Sequence, residues 1–356
     1  MRILHVIQNL VVGGAEQLVV ALTRGARAAG HPVAIAAGPG ALSTELGIEP
    51  YPLPILRRRP WLIPPGALRL NQALRRFRPD VVHAHNPGMA AISALATARG
   101  RRVPAFVSVH GAPNEDYAAA ARVLRLSGLP VVACGEGVAA ALVEQGFEPL
   151  ATIPNAVGPA PEPGSRAELE QAWGIPATIP LVVAVGRLAP IKNQALAIRA
   201  LAAVPDAWLL LVGDGPLRSE LERLAAELGL AERVVFAGTR FDARELLGAA
   251  DALVIPSRAE GLSLVALEGL AAGTPVVATT VRGLRDLFAD GENGILVADD
   301  DSEALGAALR RLLADEQLRA SLAANGLVLA GEHSEEAMVG GFLDLTRRVA
   351  ERSLDG

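Results

Sequence analysis

Lysine is almost missing from this 356-residue chain: of its 33 Lys and Arg residues, Lys192 alone is lysine. Cysteine occurs once, at Cys134, which excludes an internal disulfide and fits a reducing compartment; the residue reads as a small buried hydrophobe rather than a reactive thiol. Aromatic residues make up only 3%, too few for the stacking surfaces that hold single-stranded nucleic acid, so no nucleic-acid partner is expected. No uninterrupted apolar run approaches the roughly 18 residues of a membrane span. The opening stretch MRILHVIQNLVVGGAEQLVVAL is apolar enough for a secretion signal, but Glu16 and Gln17 interrupt it and no small-residue cleavage pattern follows. A cytoplasmic protein is expected, with membrane association as the variant that a basic segment raises.

Hydrophobic residues make up 51% of the chain, and its length suits two domains of middling size, each with a full core. The net charge of −5 hides an asymmetry: residues 1–160 carry 15 Arg against 9 acids, whereas 161–356 carry 18 Lys and Arg against 29 acids. Much of the basic excess lies between Pro50 and Pro79, where Arg57, Arg58, Arg59, Arg69, Arg75, Arg76 and Arg78 meet no acid and Trp61 sits among them. Segment 57–78 reads either as a solvated helix face or as a surface for an anionic membrane or acceptor.

Short runs rich in valine and isoleucine recur: RILHVI, PVAIAA, DVVHAH, AFVSVH, PVVACG and LATIPN, then LVVAVG, WLLLVG, RVVFAG, ALVIPS, PVVATT and GILVAD. Stretches with helical periodicity, such as GPLRSELERLAAELGL, separate most of them. This alternation predicts an α/β chain of βαβ units with parallel sheets, and the continuous hydrophobicity of the strands predicts helices on both sheet faces. The Pro- and Gly-rich stretch NAVGPAPEPGSRAELEQAWGIP falls between the sixth and seventh runs. Two doubly wound, Rossmann-like domains are therefore expected, 1–160 and 165–334, facing across a cleft bounded by the carboxyl ends of their strands.

LVVAV ends in Gly186 and Arg187, and Lys192 follows just ahead of the helical NQALAIRALAAV. A guanidinium and an ammonium at a strand-to-helix junction suit a diphosphate, since the planar fork of Arg187 grips two oxygens while Lys192 is a compact point charge. Further on, ALVIPS leads through Glu260, Gly261, Leu262 and Ser263 into a helix containing Glu268. Eight helical residues rise roughly 12 Å, too far for a close acid–base pair but suited to two ends of one ligand. The amides of Gly261, Leu262 and Ser263 are placed to hold phosphate oxygens or sugar hydroxyls, and Glu268, among apolar neighbours, needs donors such as ribose hydroxyls. Internal alternatives are a salt bridge to arginine for Glu268 and a helix cap for Glu260.

These motifs, together with GGAEQLVVAL, DVVHAHNP, IPNAV, GRLAPIKN, GDGPLRSELERLAAELGL, FAGTR and GTPVVAT, stand in the order seen in retaining glycosyltransferases of family 4. The chain resembles that family over nearly its whole length, which implies the GT-B fold, with a final helix near 335–356 returning to the N-terminal domain. The resemblance implies that Glu260 contacts the transferred sugar, Glu268 the nucleotide ribose, and Arg187 and Lys192 the donor diphosphate. It brings Gly13 and Gly14 to the phosphates, places Glu16 toward the acceptor, sets His110 near the reacting carbon, and puts Thr239 and Arg240 in the base-binding segment.

The implied reaction is metal-independent transfer, with retained configuration, from a UDP- or GDP-linked sugar to a small or lipid-linked acceptor. The nucleotide diphosphate-sugar is then a substrate, and no cofactor is expected. Departures from the family pattern lie at IPNAVG and at TTVRGLRDLF, where Arg282-Gly283 replaces a double glycine and Asp286 a glutamate. Rival readings are a nucleotide-sugar epimerase, a phosphorylase, which would bring a second lysine for its aldehyde cofactor, and a non-catalytic sugar-nucleotide binder. Three further motifs read as structural: His83 and His85 lack an obvious third metal ligand, the run Asp299 to Ser302 caps a helix, and GDGP is a βα turn.

Overall fold

The computed structural model describes residues 1–56, 59–99, 102–111 and 116–352. Arg57 and Arg58 of the basic segment lie outside the described residues. The chain forms two compact units, Met1–Asn155 with Glu335–Gly356, and Ala156–Ser334. The division falls ahead of the expected position 160. Segment 156–160 is tied to the second unit, because Val157 N–H donates to His333 O at 3.0 Å and Arg244 Nη2 donates to Gly158 O and Pro159 O at 2.7 and 2.8 Å.

The first unit holds seven parallel strands, β1 (Ile3–Val6), β2 (Val33–Ala37), β3 (Tyr51–Pro52), β4 (Val81–Ala84), β5 (Ala105–Val109), β6 (Val131–Ala133) and β7 (Ala151–Thr152), in the order β3-β2-β1-β4-β5-β6-β7. The two-residue edge strand β3, which ends in proline, has no hydrophobic run to announce it. The helix Glu335–Arg352 completes this unit: a Cβ on Gly25 of the helix Gly14–Ala28 would lie 2.5 Å from Val339, so glycine there admits the close approach of the two. Cys134 is buried.

The second unit holds β8 (Leu181–Val185), β9 (Trp208–Val212), β10 (Val234–Gly238), β11 (Ala252–Ile255), β12 (Val276–Thr279) and β13 (Ile295–Val297), all parallel, in the order β10-β9-β8-β11-β12-β13. Alternate residues feed two separate cores. Val182, Ala184, Leu209, Leu211, Val254 and Val277 pack on one face with Leu196, Leu221 and Leu309, while Leu181, Val183, Leu210, Leu253 and Val276 pack on the other with Leu246 and Leu267. Period-two side-chain alternation under two helix layers thus explains why the strands read as unbroken apolar runs.

In both sheets the strand order reverses next to the first strand, between β1 and β4 and between β8 and β11. Such switch points leave a crevice outside the carboxyl ends of the strands, where open α/β sheets bind ligands.

Candidate active site

The loops after β8 and β11 meet at the second switch point. Gly186 follows β8 with φ of 149°, a conformation that favours glycine. The GDGP turn braces this loop. A Cβ on Gly213 would lie 2.1 Å from Gly186 O, one on Gly215 2.3 Å from Leu188 O, and Leu188 N–H donates to Asp214 O at 3.0 Å. A turn expected to be a plain connection is therefore a strut for the Arg187 loop.

Arg187 is exposed, and among the described residues it has no ion pair. Lys192 closes the short turn Pro190–Lys192, and its Nζ lies 2.6 Å from Glu260 Oε1. Ser257 Oγ donates to the same oxygen at 2.7 Å, so among the described residues Oε2 of Glu260 takes no protein donor. Glu260 is not the cap of the following helix, whose N-cap is Ser263; Lys192 and Ser257 hold its carboxylate in place. This pair joins the loop after β8 to the loop after β11.

Residues outside the expected set hold the pair. Asn193, at φ of 50°, donates through Nδ2 to Asp300 Oδ1 at 2.8 Å, and the Arg258 guanidinium pairs with Asp300 at 3.0 Å. Arg258 N–H also donates to Ile191 O at 2.8 Å, tying the two loops directly. Asp300 is thus a clamp between them, and Asp301 caps the helix Ser302–Ala314 by accepting from Ala304 N–H at 2.8 Å. The only hint of this clamp in the sequence is the cap reading of the acidic run.

Gly261 and Leu262 are loop residues, and Ser263 is the N-cap of the helix Leu264–Ala271 without a side-chain cap bond. The helical rise expected for the whole Glu260–Glu268 interval therefore applies only from Leu264 onward. A Cβ on Gly283 would lie 1.7 Å from Gly261 O, so the RGL departure keeps glycine where the Glu260–Gly261 backbone presses closest. Glu268 has no salt bridge among the described residues. Burial pushes its carboxyl up to about 7, with the Arg244 charge acting in the opposite direction.

Thr239 is exposed, beyond edge strand β10. The Arg240 guanidinium is already held by Asp242, at 2.8 and 2.6 Å, and lies 5.4 Å from the Trp173 ring centroid. Neither residue is joined to the Lys192–Glu260 pair.

Gly13, Gly14, Glu16 and His110 belong to the first unit. Gly13 is extended, at φ of −173°, and precedes the helix that Gly14 opens; a Cβ on Gly13 would lie 2.6 Å from Glu16 Oε2. His110 follows β5, and burial lowers its imidazole to about 4. His5 supplies the third imidazole beside His83 and His85 that the sequence did not reveal, because the β1–β4 register pairs His5 with His83. The ligand atoms of His5, His83 and His85 all lie within 4.8 Å of one another, which makes them the group of described residues able to hold a metal ion. Four of their nitrogens are already engaged: His5 Nδ1 lies 3.0 Å from His85 Nε2, His83 Nε2 lies 2.7 Å from Ser108 Oγ and His85 Nδ1 lies 3.2 Å from His110 Nε2, while His5 Nε2 takes no partner among the described residues. The group contains no carboxylate to offset a divalent charge.

Two doubly wound parallel sheets with these switch points define the GT-B class. HepE of Anabaena, solved with UDP and glucose, superposes with a TM-score of 0.86 at 24% identity, covering 98% of this chain and 99% of that one. Residues 12–160 match the family described as Glycosyltransferase Family 4, and residues 165–327 match Glycosyl transferases group 1. The lipopolysaccharide core biosynthesis glycosyltransferase LpsD of Rhizobium meliloti is 36% identical over 301 residues, 80% of each chain. LpsE of the same organism is 40% identical over 181 residues, 51% of this chain and 52% of that protein. The chain belongs to glycosyltransferase family 4.

Proposed function

We propose that this enzyme transfers a sugar from a nucleotide diphosphate-sugar to an acceptor with retained configuration and without a metal ion. The observation that carries the reading is the contact between Lys192 Nζ and Glu260 Oε1 at the β8–β11 switch point. In a sugar diphosphate the anomeric carbon and the nearer phosphorus share one oxygen. A paired carboxylate and ammonium match that junction: Glu260 Oε2 accepts from sugar hydroxyls while Lys192 directs its remaining protons to the phosphate. Arg187, exposed on the same loop, adds the second positive charge, and the amides of Gly261 and Ser263 complete the anion cradle, while the Gly186 N–H donates to Val212 O at 2.8 Å. Glu268 takes the ribose hydroxyls, and Thr239 with Arg240 borders the base.

As the bond from the anomeric carbon to the phosphate oxygen breaks, its electron pair stays on the diphosphate, whose growing charge Arg187 and Lys192 offset. The acceptor oxygen bonds to the same face of the carbon, and its proton passes to the departing phosphate. His110, Gly13, Gly14 and Glu16 keep the family roles of sugar, phosphate and acceptor contacts. The donor is UDP- or GDP-linked; UDP is favoured by HepE, which was solved with it. The acceptor is small or lipid-linked. A lipid-linked one is favoured by Trp61 and Leu68, 67% and 70% exposed among the exposed Arg59, Arg69, Arg75 and Arg76.

Incubation with UDP- and GDP-sugars, followed by nucleotide release with and without acceptor and by proton NMR of the product anomer, tests the reading. It expects acceptor-stimulated release and a retained anomer. An inverted product or release indifferent to acceptor refutes it.

A further inference from the structure

The strands β1, β4 and β5 are neighbours, and each brings a histidine to the same region of the sheet: His5 within β1, His85 just after β4 and His110 just after β5. Their rings form a chain. His5 Nδ1 lies 3.0 Å from His85 Nε2, and His85 Nδ1 lies 3.2 Å from His110 Nε2. The His85 and His110 rings are nearly coplanar in orientation, 7° apart. The two atoms at the ends of the chain, His5 Nε2 and His110 Nδ1, are buried and have no hydrogen-bond partner among the described residues. His83 stands beside the chain, bonded to Ser108 and stacked on Phe106 and Phe342.

A neutral imidazole carries one N–H and one bare nitrogen. Burial keeps all three rings neutral near pH 7, so each nitrogen–nitrogen contact needs one donor and one acceptor. Only two arrangements satisfy both contacts. In one, His5, His85 and His110 all carry the proton on Nδ1, leaving an N–H at the His110 end and a bare nitrogen at the His5 end. In the other, all three carry it on Nε2, and the ends exchange character. His5 lines a pocket whose walls include Leu22, Val339, Phe342 and Leu343, with Thr346 as its hydroxyl. Each arrangement leaves one buried N–H unmet among the described residues; at the half-buried His110 a ligand oxygen can meet it, whereas His5 is enclosed at 3% exposure, so the bare nitrogen belongs at the His5 end.

We propose that His85 is a positioning residue that fixes His110 as the Nδ1–H tautomer, so that His110 offers a hydrogen-bond donor to an oxygen of the transferred sugar. This rests on the place given to His110 in the proposed reaction. A hydroxyl or ring oxygen of a sugar accepts such a bond, whereas the opposite tautomer would present a lone pair and select a hydroxyl proton instead. Specificity at that position is thereby set by a residue that does not touch the sugar.

Long-range proton–nitrogen NMR correlation of nitrogen-15 histidine in the full chain reads the tautomer without any ligand. The wild-type chain is expected to show His110 in the single Nδ1–H form. His85→Phe keeps a ring in the stack and removes both nitrogens; the His110 signals are expected to become mixed and kcat to fall by roughly tenfold or more, with donor KM little changed. His85→Asn, whose amide stands where Nδ1 stood, is expected to restore the single tautomer and most of kcat. Should His85→Phe not fold, His85→Gln, whose amide reaches toward His5 and leaves His110 alone, is expected to give the same mixed signals and loss. An Nε2–H form in the wild type, or an unaltered tautomer in His85→Phe or His85→Gln, overturns the proposal. A changed tautomer with unaltered kcat overturns its sugar-donor half, and with it the place of His110 in the reaction, while the coupling to His85 stands.

Discussion

Glu260 and Glu268 are two carboxylates eight positions apart in different electrostatic settings. Glu260 is held against the Lys192 ammonium and the Ser257 hydroxyl, whereas burial raises Glu268 to about 7 with no protein donor among the described residues. If ribose hydroxyls donate to Glu268, they bind its ionised form. The ionised fraction of a group with a pKa near 7 rises about tenfold between pH 6 and pH 8, so nucleoside diphosphate affinity is expected to tighten by up to that factor over the same interval. Calorimetric titration across this range checks it, and Glu268→Gln is expected to flatten the dependence. The sequence made both glutamates and Lys192 legible, because charged residues at strand exits stand out from apolar surroundings. Ser257 and Asn193 escaped notice, and Asp300 was read only within a helix cap, since their value lies in contacts between residues as distant as 193 and 300.

At the scale of elements, the strands were legible because alternate side chains feed cores on both faces, which forces unbroken apolar runs. Strand β3 was not, being two residues long and ending in proline. The boundary at 156 also escaped, because backbone bonds from Val157 to His333 and from Arg244 to Gly158 leave no local pattern. Glycines carried more of the site than the motifs implied. Gly283 is the sharpest case: its missing Cβ would lie 1.7 Å from Gly261 O and 2.7 Å from Glu260 O. Gly283→Ala is expected to displace the Glu260 loop, destabilising the protein by about 1–3 kcal/mol as overpacking does and lowering turnover by roughly tenfold or more. Thermal unfolding and steady-state turnover measure the two effects. Normal values for both would show that the loop yields freely.

Across the whole molecule, the two units are expected to answer pH in opposite ways. In the first unit burial lowers His5 and His110 from 6.5 to about 4 and holds His83 and His85 well below 6.5. Each depressed pKa means that the unfolded chain binds the proton first, so stability is present above pH 6.5 and drains as pH falls toward 4. For His5 the full excursion is worth about 3 kcal/mol. In the second unit the raised Glu268 works the other way: its contribution is complete below 4.5 and is lost as pH rises through about 7. Hydrogen exchange at pH 5 and pH 7, corrected for intrinsic rates, is expected to show protection falling in Met1–Asn155 on acidification and rising in Ala156–Ser334. Parallel changes in both units would contradict the assignment of these groups.

The central claim is that the sole lysine pairs with Glu260 to serve the sugar–phosphate junction. It is tested most directly by acceptor-dependent turnover of Lys192→Arg, Lys192→Ala and Glu260→Gln in variants whose thermal unfolding matches the wild type. Lys192→Arg keeps the charge but replaces a compact ammonium by a planar fork, and turnover is expected to fall at least tenfold, about 1.4 kcal/mol of transition-state stabilisation. Lys192→Ala and Glu260→Gln are expected to fall further. Turnover near the wild-type value in Lys192→Ala or Glu260→Gln would contradict the account.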